Sequence, residues 1–120
     1  MKLKEISELL ITLGLCPAYK GYAYLQYAIY LTTTGSYRQG LIVGELYQET
    51  ANHFHVSKST VQHSIRSLLD VYWNQNSTEH FSRITGFPVH NSNTLPPREF
   101  IAVISEYLLQ TCDDLTYWEI

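Results

Sequence analysis

A chain of 120 residues with 45 % apolar and 16 % charged side chains is long enough for one domain with a real core and too apolar to be disordered. No apolar run approaches the roughly 20 residues of a membrane span. The two cysteines, Cys16 and Cys112, are too few and too far apart for a metal motif and are expected as reduced thiols in a cytoplasmic protein, a long-range disulfide being the lesser alternative. The net charge of −3 argues against nucleic acid only until its distribution is read. Residues 1–49 sum to zero, residues 50–98 to +2, and residues 99–120, with five acids and no lysine or arginine, to −5.

The amino terminus has Lys2 and Lys4 ahead of an apolar stretch, the outline of a signal peptide. Glu5, Ser7 and Glu8 interrupt that stretch in a helical rhythm, so an amphipathic helix is expected instead. Leu3, Ile6, Leu9, Leu10 and Leu13 form its stripe over residues 3–13, with Gly14 as its end and Pro17 opening a loop. Residues 20–32, KGYAYLQYAIYLT, place Tyr22, Leu25, Ala28 and Ile29 at helical spacing, although tyrosines also suit strands. Thr32–Ser36 reads as a turn, and Gly40 and Gly44 read as breaks around a short apolar piece.

Residues 46–73 read as a helix, a tight turn and a longer helix, the pattern of a helix-turn-helix. Ala51 suits a close helix crossing, Phe54 and Val56 flank the turn, and Ser57 is a good N-cap. His55 holds the turn position where glycine favours a left-handed backbone. Val61, Ile65, Leu68, Leu69 and Tyr72 form the inner face of the second helix. After the motif, Asn74–Ser77 reads as a polar loop, Glu79–Thr85 as a brief helix stopped by Gly86, and Phe87–Pro97 as an irregular excursion. A last helix is expected from about Pro97 to Thr111, with Phe100, Val103, Ile104, Tyr107 and Leu108 as its apolar face and an acidic tail from about residue 112 to 120.

Several of these segments together resemble one family, the carboxyl-terminal effector domain of the sporulation stage-zero response regulator. The resemblance lies in KGYAYLQYAI (Lys20–Ile29), LYQETANHF (Leu46–Phe54), STVQHSIRSLLDVYW (Ser59–Trp73), ITGFPV (Ile84–Val89) and EFIAVISEYL (Glu99–Leu108), in the family's order. It implies an all-α fold, a compact bundle of about six helices containing the helix-turn-helix, with the second motif helix in the major groove and subunits paired or in tandem on DNA. The chain departs from the family's pattern in three places. It starts directly at the effector, so control through an attached receiver domain is expected to be absent. Thr60, Gln62 and His63 stand where the family's reading helix typically has arginine, glutamate and arginine, and Arg66 alone keeps a matching base. GLCPAY, before Lys20, replaces the family's usual glycine-valine-proline-alanine-histidine.

The expected DNA-binding residues are Lys58, Ser59, Thr60, Gln62, His63 and Arg66. Arginine reads guanine with two hydrogen bonds, glutamine reads adenine likewise, and histidine donates to guanine or phosphate. Ser59 and Thr60, in the first turn, suit phosphate, and Lys58 neutralises charge. Each has a plainer reading: Ser59 as a capping box with Gln62, Arg66 as an i, i+4 partner of Asp70, the others as solvated surface. His53, His55 and His63 raise a zinc site, but i and i+2 positions on a helix diverge by roughly 200°, so no metal is expected. No cofactor is expected, and no phosphate loop or nucleophile motif points to an enzyme.

One 120-residue helix-turn-helix domain binding double-stranded DNA as a transcriptional regulator is the expected function. Homodimers or tandem copies, RNA polymerase and a full-length regulator are the other partners considered, with no membrane. The alternative is an interaction module of the same fold, acting through a tyrosine-rich surface at Tyr22, Tyr24, Tyr27 and Tyr30.

Overall fold

Six α-helices make up the secondary structure of the computed structural model, which describes residues 3–34, 43–76, 78–88 and 94–119, with backbone alone for residue 43 and for 112–119. They are α1 (Leu3–Leu13), α2 (Lys20–Thr34), α3 (Val43–Phe54), α4 (Lys58–Gln75), α5 (Thr78–Thr85) and α6 (Pro97–Glu119). The all-α expectation holds. None of these helices is long and apolar enough to cross a membrane.

Helix α1 buries Ile6, Leu10 and Leu13, while Leu3, at the open end of the stripe, stays exposed. Its end is built by Gly14 at φ 112°. The Gly14 amide donates to the Ile11 carbonyl at 3.0 Å and the Leu15 amide to Leu10 at 3.0 Å. That pairing satisfies carbonyls the helix would otherwise leave open, and buries Leu15 over the last turn.

Helix α2 is the centre of the bundle and packs against α1, α3, α4 and α6. Burial on several sides explains why its sequence shows only a blurred apolar stripe: Gly21, Tyr22, Tyr24, Leu25, Ala28, Ile29, Thr32 and Thr33 are all buried. Its tyrosines serve a helix, not a strand. The Tyr22 hydroxyl lies 2.6 Å from Ser7 Oγ on α1. Tyr22 and Tyr24 therefore belong to the core, and the tyrosine-rich surface expected at Tyr22, Tyr24, Tyr27 and Tyr30 is not formed; Tyr27 and Tyr30 are half-buried.

Other boundaries also move. The turn expected at Thr32–Ser36 does not start at Thr32, because Thr32, Thr33 and Thr34 remain helical and turn their hydroxyls back onto the Ala28 and Tyr30 carbonyls. Ser36 and Gly40 lie outside the described residues. Gly44 is no break; it sits in the first turn of α3. Asn74 and Gln75 extend α4 instead of opening a loop, since neither is a strong helix breaker. Asn76 ends the helix, its amide donating to the Tyr72 carbonyl at 2.9 Å and its side-chain Nδ2 to the same oxygen at 3.1 Å.

Helix α5 holds Phe81 in the core, an Arg83–Glu79 pair at 2.8 Å on its surface and Gly86 at φ 75° at its end. Helix α6 starts where expected, with Pro97 in its first turn, where a missing amide costs nothing. It runs to Glu119, so the expected tail from residue 112 is helical in its backbone; no proline or glycine interrupts it. Its buried face is Phe100, Ile101, Ile104, Ser105 and Leu108, with Val103 and Tyr107 only half-buried.

The core closes at the carboxyl end of α4 through an aromatic cluster. Tyr72 and Trp73 meet Phe100 of α6 edge-on at 5.9 and 6.1 Å, and Trp73 meets Phe81 of α5 at 5.4 Å. Such contacts add about 0.5–1.5 kcal/mol each beyond the area they bury. They fix one end of α4.

Candidate nucleic-acid interface

The turn between α3 and α4 is held by backbone. The Val56 amide donates to the Ala51 carbonyl at 3.0 Å and His55 to Asn52 at 3.4 Å, the same pairing that ends α1. Here the left-handed position is His55, at φ 58°, where a non-glycine residue stores roughly 1–3 kcal/mol of strain. Ala51 is fully buried, so its methyl sets the approach of the two helices. Phe54 packs edge-on against Tyr24 at 5.1 Å and Tyr27 at 5.7 Å, and His53 stacks on Tyr27 at 4.0 Å. These rings tie the end of α3 to α2.

Ser57 caps α4: its extended backbone (φ −80°, ψ 154°) lets Oγ accept from the Thr60 amide at 3.1 Å, and the Thr60 hydroxyl lies 2.8 Å from the same oxygen. The cap is thus Ser57 with Thr60. The Ser59–Gln62 capping box is not the one formed, because Ser59 already lies inside the helix.

Val61, Ile65, Leu68, Leu69 and Tyr72 are buried, as their spacing predicts. All six expected DNA-binding residues, Lys58, Ser59, Thr60, Gln62, His63 and Arg66, are exposed. Ser59, His63, Arg66 and Asp70 follow one another at intervals of four, three and four, and so run along one line opposite the core. His63 and Arg66 occupy its middle; Asp70 adds an acid at its far end.

The two flanks of α4 differ. On the α3 side, the Lys58 ammonium comes within 3.3 Å of where a Cβ on Gly44 would sit, so Lys58 lies over the first turn of α3. Arg66 is close enough to Tyr47 of α3 to oppose the rise that burial imposes on the phenol's pKa. On the α2 side, Gly21 allows a backbone approach that sequence reasoning passed over. A Cβ there would lie 2.7 Å from the Ser64 carbonyl carbon and closer still to its oxygen. Only glycine lets α2 and α4 touch at this point. The sole signal in the sequence is a glycine in the first turn of an otherwise aromatic helix. Just outside the contact, a groove of about 260 Å³ is lined by Tyr19, Lys20, His63 and Ser67.

With respect to the zinc reading, His53 is stacked on Tyr27, His55 forms the turn and His63 stands on the outer line of α4. Cys16 is a free thiol at the surface.

Residues 6–108 match the family model described as the sporulation initiation factor Spo0A C terminal. The match spans all of α2 to α5, α1 from Ile6 onward and the first half of α6.

Proposed function

Since the chain belongs to the Spo0A C-terminal family, a family of DNA-binding domains of a sporulation regulator and not of enzymes, we propose that it is a sequence-specific regulator that reads the major groove with α4. One observation carries this reading. The helix behind the turn buries a complete inner face and leaves Lys58, Ser59, Thr60, Gln62, His63 and Arg66 exposed together. Their chemistry suits a base edge and its neighbouring phosphates.

The roles differ along the helix. Arg66 and His63 supply donors suited to guanine, and Gln62 can pair its amide with adenine. Ser59 and Lys58 suit phosphate. Thr60 is partly committed to the Ser57 cap, so its contribution is its methyl group or a shared hydroxyl. With three cations or fewer at this surface, one copy binds modestly, and paired or tandem copies on adjacent half-sites raise occupancy. Contact with RNA polymerase or a full-length regulator, and a cytoplasmic location, belong to the same proposal.

Selection from a randomised duplex library with the purified chain, followed by fluorescence anisotropy, tests it. Enrichment of one site, weakened by changes on the outer line of α4, is the expected result. Enrichment of no sequence at low salt and micromolar protein would overturn it in favour of an interaction module.

A further inference from the structure

The groove on the α2 side of α4 is separate from the six residues expected to read DNA, apart from His63 at its rim. Its lining side chains include one cation, Lys20, the hydroxyls of Tyr19, Ser64 and Ser67, and no carboxylate. Tyr19, Lys20 and Ser67 are exposed. The Gly21–Ser64 backbone contact holds this group in place: where α2 touches α4, the two residues before Gly21 are fixed beside the outer face of α4. Across the helix, the other flank carries Lys58 over Gly44. Helix α4 is therefore bordered by cations on both sides.

That arrangement fits the shape of a duplex. A helix about 10–12 Å across fills a major groove about 12 Å wide, so a sugar-phosphate strand runs along each of its flanks. Groups on the outer line meet base edges; groups on the flanks meet phosphates. Resting on the reading of α4 as the DNA-reading helix, we propose that Lys20, with the Tyr19 and Ser67 hydroxyls beside it, is a phosphate-binding site for the DNA strand on the side of α4 away from α3. Lys58 serves the opposite strand. Gripped from both flanks, the helix has its depth and register set before any base is read. Such contacts carry no sequence information of their own.

The test uses the full chain, a duplex from library selection and a scrambled duplex, across a salt series. Lys20→Gln lowers affinity about three- to tenfold near 0.1 M salt, equally for both duplexes, and reduces the salt slope by about one contact's worth, close to 0.9. Lys20→Arg, which keeps the charge, binds within twofold of wild type. Ethylation interference on the unaltered chain gives a readout that needs no variant: blocked phosphates lie on both strands flanking the selected bases, and those of one strand lose their effect in Lys20→Gln. A Lys20→Gln chain with unchanged affinity and slope would overturn the proposal while leaving α4 as the reader. So would a loss confined to the selected duplex, or interference on one strand alone. Failure of the wild-type chain to select any duplex would instead overturn the reading on which the proposal rests.

Discussion

Tyr72 carries its hydroxyl into the core, where the oxygen finds no hydrogen-bond partner among the described residues. An unpaired buried hydroxyl costs stability, so Tyr72→Phe is expected to gain roughly 1 kcal/mol in urea unfolding. Burial also pushes the phenol's pKa up from 10 to about 12. Between those values the unfolded chain has released a proton that the folded chain still holds. Stability therefore falls as pH rises through that window, by up to about 1.4 kcal/mol per unit. The phenylalanine variant lacks this share of the alkaline loss; equal pH profiles for the two chains would refute the assignment. Two further residues separate folding from reading. Ala51 has no room for a larger side chain at the helix crossing, so Ala51→Glu buries a charge and costs several kcal/mol, with loss of helical circular dichroism. Arg66 is exposed, so Arg66→Ala leaves the fold intact and weakens specific DNA binding by about 1–3 kcal/mol. If both changes damaged folding alike, the division of α4 into inner and outer faces would be wrong.

At the scale of the element, the contact between α2 and α4 makes the sharpest prediction. Gly21→Ala puts a methyl group against the Ser64 backbone, which cannot rotate away as a side chain can. The helices must separate, and a loss of about 1–3 kcal/mol is expected in denaturant unfolding, despite alanine's better helix propensity. A stabilised variant would show that the helices are not in contact there. Helix α4 itself was largely legible in the sequence, because Val61, Ile65 and Leu68 repeat at helical intervals and Ser57 announces the start. Boundaries set by tertiary packing were not. Three threonines and an interior glycine look like turn residues until their hydroxyls find carbonyls or their helix finds neighbours. In α6, Ile101 is buried while Val103 and Tyr107 are half-exposed, because α2, α4 and α5 decide which face turns inward. The candidate site was legible as an outward face but not as a flanked one, since Lys20 is distant in sequence from α4. The divergence expected at Thr60, Gln62 and His63 can be tested directly. Thr60→Arg, Gln62→Glu and His63→Arg together should shift preference from the chain's own selected site toward the family's site. Non-specific affinity rises too, so the ratio between the two sites is the measure. A flat ratio with folding intact would mean that α4 is not the base reader.

For the whole molecule, charge is the governing quantity. Under the proposed function, a net −3 chain with its acids concentrated after residue 98 approaches DNA through a few cations, Lys58, Arg66 and Lys20. The salt dependence of binding by one copy is accordingly expected to be shallow, a log–log slope of about 2–3 at roughly 0.9 per phosphate contact. Anisotropy titrations across a salt series measure it, and a slope beyond about 5 would require contacts from residues outside this surface or from a second copy. The Gly21–Ser64 contact has a consequence for descent as well as for stability. Helix α4 is grasped by its backbone and by residues that face inward, none of which belongs to the exposed set. Exposed substitutions usually alter stability by no more than about 0.5 kcal/mol, so a lineage can rewrite the outer line of α4 letter by letter without first inventing a new core.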